Sequence, residues 1–113
     1  MKFITEITDL FENGKEKRRY GITLMNELSG KYVGFYMNGI VRILCYYCDN
    51  KREGRFIENY IEGTPMVVCN YKDDKLDGEY KEYSHETGEI TTYQKYEDGI
   101  MKIQYNKPRI IFT

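Results

Sequence analysis

With 113 residues, 41% of them apolar and 31% charged, the chain can build one domain but not two independent cores. A net charge of −1 gives no general pull toward nucleic acid, and no run approaches the roughly 20 apolar residues of a membrane span. Three cysteines, an odd number, argue against a secreted disulfide framework, and the start lacks the apolar run of a secretory signal, so a reducing cytoplasmic compartment is expected.

Tyrosine is the outlier, with 12 copies beside 5 phenylalanines and no tryptophan. Its ring packs while its hydroxyl stays wet, which suits half-buried sheet surfaces. At the N-terminus, Ile4, Ile7, Leu10 and Phe11 fit a short amphipathic helix, whereas the register of the repeats farther along the chain makes Thr5–Phe11 a strand; the strand is preferred.

Tyr32, Phe56, Tyr80 and Tyr105 recur at intervals of 24, 24 and 25, the first three lying two positions after Gly30, Gly54 and Gly78. Such a period marks a repeat architecture within one domain. The units are 30–53, 54–77 and 78–102, preceded by a degenerate unit 5–29 and followed by a terminal fragment 103–113. In each unit two runs rich in Tyr, Val, Ile and Phe are closed by turn-formers. Asn38-Gly39, Glu62-Gly63 and Thr87-Gly88 end the first run; Asp49-Asn50, Asp73-Asp74 and Asp98-Gly99 end the second.

One unit is therefore one β-hairpin, and the predicted fold is all-β: an open, twisted antiparallel meander of about eight strands. Tyr32, Phe56, Tyr80 and Tyr105 are expected to form one ladder, with Ile7 in the same slot of the first unit. Phe11, Tyr36 and Tyr60 form a second ladder, and Tyr47, Tyr71 and Tyr96 a third on the return strands. The apolar tail Ile110, Ile111 and Phe112 is expected to cover a sheet end or to pack on another subunit.

The pattern of Gly30, Tyr32, Tyr36, Gly39 and Tyr47, repeated as Gly54, Phe56, Tyr60, Gly63 and Tyr71 and then as Gly78, Tyr80, Gly88 and Tyr96, resembles the MORN repeat. The nearer likeness is to the variant found in bacterial antitoxin-like repeat proteins. Ser84 departs from it at the second aromatic position of the third unit. The resemblance implies a non-enzymatic module that joins proteins, self-associates or lies near membranes, of a kind plentiful in bacteria and in large DNA viruses of protists. Contact with lipid is implied by the resemblance alone.

Candidates for chemistry are few. Cys45 and Cys48 have the spacing of a redox or zinc half-site, but no second pair of ligands is evident, and residues three apart on a strand face opposite ways. Cys45 instead matches Cys69 one period on, as a small packing residue. His85, the lone histidine, falls in a turn. Glu58 and Glu82 are equivalent positions that could imitate a catalytic carboxylate pair. The stretch Lys15–Arg19, beside Tyr20, is the sole basic cluster.

No catalytic, cofactor or metal constellation emerges. The expectation is a protein–protein interaction or scaffold module, self-associating, with Tyr32, Tyr36, Phe56, Tyr60, Tyr80 and Tyr105 as its ladder and interaction face. Nucleic acid is not an expected partner. The alternative is an antitoxin or immunity protein that covers a toxin with the acidic segment 73–98.

Overall fold

The computed structural model describes residues 4–106, and among these there is no helix. The first five strands are β1 (Thr5–Leu10), β2 (Glu16–Ile22), β3 (Gly30–Phe35), β4 (Val41–Cys48) and β5 (Lys51–Arg52). The others are β6 (Gly54–Asn59), β7 (Pro65–Lys72), β8 (Lys75–Tyr83), β9 (Ile90–Glu97) and β10 (Ile100–Asn106). They form one open antiparallel sheet in the order β1-β2-β3-β4-β6-β7-β8-β9-β10, with β5 beside β4. The four expected hairpins are β1–β2, β3–β4, β6–β7 and β8–β9; β10 and the two-residue β5 raise the count to ten. The N-terminal run is a strand, as preferred over the helix.

The molecule measures 61 × 37 × 15 Å, with a radius of gyration of 16.8 Å. A compact chain of this length would have a radius near 13 Å, and a second sheet would add about 10 Å of thickness. A single layer has little interior: among the described residues Val33, Cys45 and Cys69 are the buried apolar side chains, at 5%, 1% and 1% exposure. What holds one hairpin to the next must therefore be sought along the margins of the sheet.

Along one margin lie the hairpin tips. Gly39 N–H donates to the Tyr36 carbonyl and Tyr36 N–H to that of Ile40, and the same pair of bonds recurs at Phe11–Lys15 and Tyr60–Thr64. Next to each tip one residue of the return strand has no partner opposite it: Lys17, Arg42, Met66 and Thr91. Along the other margin lie the turns between hairpins. Asp49-Asn50 and Asp73-Asp74 take positive φ at both positions (49° and 68°; 52° and 68°), the two-residue hairpin geometry that matches strand twist.

Those turns reach back to the preceding hairpin. Asn50 N–H donates to the Leu28 carbonyl while its Oδ1 accepts from Leu28 N–H. Asp74 does the same with Arg52, and Gly99, lacking a side chain, keeps only the backbone bond, to Leu76. Arg52 also donates its Nε to Asp74 at 2.7 Å and holds that carboxyl below the usual carboxylate range.

The repeated glycines Gly30, Gly54 and Gly78 all have φ near +90° (90°, 92° and 93°). At Gly30 and Gly54 an added Cβ would meet nothing within 4 Å, so the requirement is conformational, not steric. Replacing Gly54 with alanine is expected to cost about 1–2 kcal/mol, the penalty of a side chain in left-handed backbone. Urea unfolding followed by circular dichroism measures it.

Candidate interaction surfaces

Residues opposite one another in register share a face, and successive residues alternate. One face carries Tyr32, Cys45 and Tyr47, then Phe56, Cys69 and Tyr71, then Tyr80 and Tyr96. Tyr32, Phe56 and Tyr80 share this face, but Cys45 and Cys69 stand between them in the ladder, and the ring contacts run within each hairpin. Tyr32 meets Tyr47 edge-on at 5.9 Å, Phe56 meets Tyr71 at 5.4 Å, and Tyr80 meets Tyr96 at 6.3 Å. Tyr20 extends the first pair, stacking on Tyr32 at 5.7 Å.

Tyr105 does not join this face. It lies opposite Tyr93, its ring 6.2 Å away, on the side that carries Lys81 and Val68. The reason is a missing glycine. Where β8 carries Gly78 at positive φ, β10 has Ile103, and a β-branched residue avoids that conformation. The β7–β8 ladder slips by two residues on the β8 side and keeps its facing, whereas the β9–β10 ladder slips by one and reverses it.

Tyr36 and Tyr60 sit at the tips and act through their hydroxyls. Tyr36 donates to the Asn59 carbonyl at 2.6 Å and Tyr60 to that of Tyr83 at 2.7 Å, each tying its tip to the next hairpin. Ser84 replaces the aromatic at the last tip, beyond which no hairpin follows among the described residues. Phe11 occupies the first tip without a hydroxyl. Tyr36→Phe should lose about 1 kcal/mol and Phe11→Tyr should gain up to as much by supplying the missing bond. Paired thermal melts of the two variants test both signs.

Cys45 lies opposite Tyr32, and Cys69 lies between Phe56 and Tyr80 in the ladder. The rings are half-buried; the cysteines beneath them are the enclosed groups. Burial pushes both thiols up to about 11, while Cys48 is exposed. Both hold their protons more tightly folded than unfolded, so unfolding releases protons between pH 9 and 11. Stability should therefore fall across that window by on the order of 2 kcal/mol per thiol. Burial raises Tyr47, Tyr71 and Tyr80 too, in the same direction. Thiol titration of the native protein at pH 8 should find one reactive cysteine, and three after unfolding.

The remaining candidates are dispersed. His85 pairs with Glu62 at 2.9 Å and packs on Tyr60, with the histidine and glutamate side chains more than half exposed. Glu58 and Glu82 share the aromatic face but have Val67 between them, roughly 10 Å apart over two strand spacings. Among the described residues no three His, Cys, Asp or Glu side chains converge as a metal site would require. No helix is long and apolar enough to cross a membrane. In the acidic segment 73–98, Asp73, Asp74 and Asp98 face Lys51, Arg52 and Lys75, and Glu79 faces Lys81.

The two outer strands differ in chemistry. On β1 the exposed side chains are Thr5, Glu6, Thr8 and one apolar residue, Leu10. On β10, Ile100, Met101, Ile103 and Tyr105 are 61%, 46%, 44% and 66% exposed, and Lys102 is the one charge. The apolar tail Ile110–Phe112 lies outside the described residues. No family model matches the chain, and neither a curated protein nor a solved structure matches it.

Proposed function

We propose that this chain is a non-enzymatic interaction module that self-associates through β10. The observation that carries this reading is the apolar outer strand. Edge strands carry free backbone donors and acceptors, and soluble proteins blunt them with charge, proline or a cover. β10 has one lysine and four exposed apolar side chains, and it pairs only with β9 among the described residues.

A second copy supplies the complementary surface. Two β10 strands running antiparallel about a twofold axis near Ile103 extend both sheets through an isologous contact, placing Met101 across from Tyr105 of the second copy and Lys102 across from Gln104. The likeness of the Gly30–Tyr47 and Gly54–Tyr71 patterns to MORN repeats supports an interaction or scaffold role by analogy of sequence. The antitoxin alternative has less support, because four of the nine carboxylates in its segment, Asp73, Asp74, Glu79 and Asp98, already face cations of the chain.

Light scattering across the micromolar range should give a dimer, and Ile103→Lys should give a monomer with an unchanged sheet spectrum. A wild-type monomer at every concentration would reject the proposal.

A further inference from the structure

The Lys15–Arg19 cluster takes part in none of this. It does not form a continuous basic strip, because β2 divides it between faces. Arg19 lies opposite Val33 on one face, while Arg18 lies opposite Gly34 on the other. Arg18 is joined there by Lys17 and Arg42, the unpaired residues beside the first two tips, around a pocket of ≈ 250 Å³. Phe11, Phe35 and Tyr36 form its apolar walls.

Charge in this pocket is unbalanced. Asp9 pairs with Arg18 at 2.6 Å. Lys17 stands over the Phe11 ring at 6.0 Å, and neither it nor Arg42 has an ion pair among the described residues. Later hairpins carry no such excess, since the matching bulge residues are Met66 and Thr91.

Gly34 shows what is missing. In the next two hairpins its place in the ladder is taken by Glu58 and Glu82, which project a carboxylate onto this face. At Gly34 there is no side chain, and its neighbours fill the space: a Cβ built there would meet Ile43 Cγ2 at 2.8 Å and Arg42 Nη2 at 3.1 Å, so the glycine lets Arg42 lie across the strand. Along this row the first, third and fourth hairpins carry Asp9, Glu58 and Glu82, and the second alone lacks a carboxylate.

We infer that the pocket between the first two hairpins binds a small aromatic anion, an arene bearing one carboxylate or phosphate. The anionic group sits between Arg18 and Arg42, with Lys17 beside it. The ring packs against Phe11, Phe35 and Tyr36. A volume of ≈ 250 Å³ leaves room for one ring and one anionic group. The site lies at the opposite end of the sheet from β10 and is independent of any pairing there.

Calorimetric titration at low ionic strength with phenyl phosphate, benzoate, inorganic phosphate and benzyl alcohol tests this. The two aromatic anions should bind with Kd on the order of 1 mM or tighter, and weaken as salt is added. Inorganic phosphate and benzyl alcohol should bind at least about tenfold more weakly, a difference of ~1.4 kcal/mol. The tighter of the two aromatic anions identifies the preferred acid. Arg42→Met installs the residue of the third hairpin and should weaken binding about tenfold. Arg55→Met, on the other face, should change nothing. Should Arg42→Met lower the melting temperature, Lys17→Thr, matching Thr91, replaces it in the comparison. Aromatic anions that bind no better than inorganic phosphate or benzyl alcohol, or equally well to the Arg42 and Lys17 variants, overturn the assignment.

Discussion

A sheet one layer thick has no second sheet to press its hairpins together, so the bonds between each hairpin and the one before it carry the architecture. Within a hairpin the ladder is long: six residue pairs register between β3 and β4. Between hairpins it is short at the first two junctions, with two pairs from β2 to β3 and two from β4 to β6, and reaches five only from β7 to β8. The deficit is made up at both margins. On one, the Asn50 and Asp74 turns exchange bonds with Leu28 and Arg52; on the other, the Tyr36 and Tyr60 hydroxyls reach the following tip. Buried backbone groups need partners, and a thin sheet finds them by turning its margins into clasps.

The aromatic face follows from the same constraint. With no opposing layer, apolar area leaves water only where neighbouring rings lean over smaller residues. Cys45 and Cys69 are small enough to lie beneath Tyr32, Phe56 and Tyr80 without pushing them apart, which makes them the most enclosed side chains of the described residues. A larger residue there would lift the rings into solvent. Each ring stays half-buried, so truncating one costs less than the roughly 3–5 kcal/mol typical of an aromatic in a full core.

An architecture assembled from like units leaves its differences at the ends. β10 lacks the glycine that sets the facing of β3, β6 and β8, and it turns Tyr105 to the other side with an apolar edge exposed. At the opposite end, Phe11 lacks the tip hydroxyl, Gly34 lacks the carboxylate of Glu58 and Glu82, and Lys17 and Arg42 stand where later hairpins carry Met66 and Thr91. Departures from the period thus coincide with the two surfaces proposed to bind.

The all-β meander, its hairpins and its turns were legible in the amino-acid order, because glycine, asparagine and aspartate at fixed offsets have narrow backbone preferences that act locally. The pairing of Cys45 with Cys69 as packing residues was legible too, from their 24-residue separation. Which rings touch was not. Tyr32 is 15 residues from its neighbour Tyr47 and 24 from Phe56, and only the register between strands decides the contact. The side on which Tyr105 falls depended on one residue of slippage between β9 and β10, although Ile103 in a glycine's place was a signal open to view. The gathering of Lys17, Arg18 and Arg42 around one pocket came from bulges. A bulge re-aims a side chain without leaving a mark in local preference, so the pocket exists only once the strands have paired.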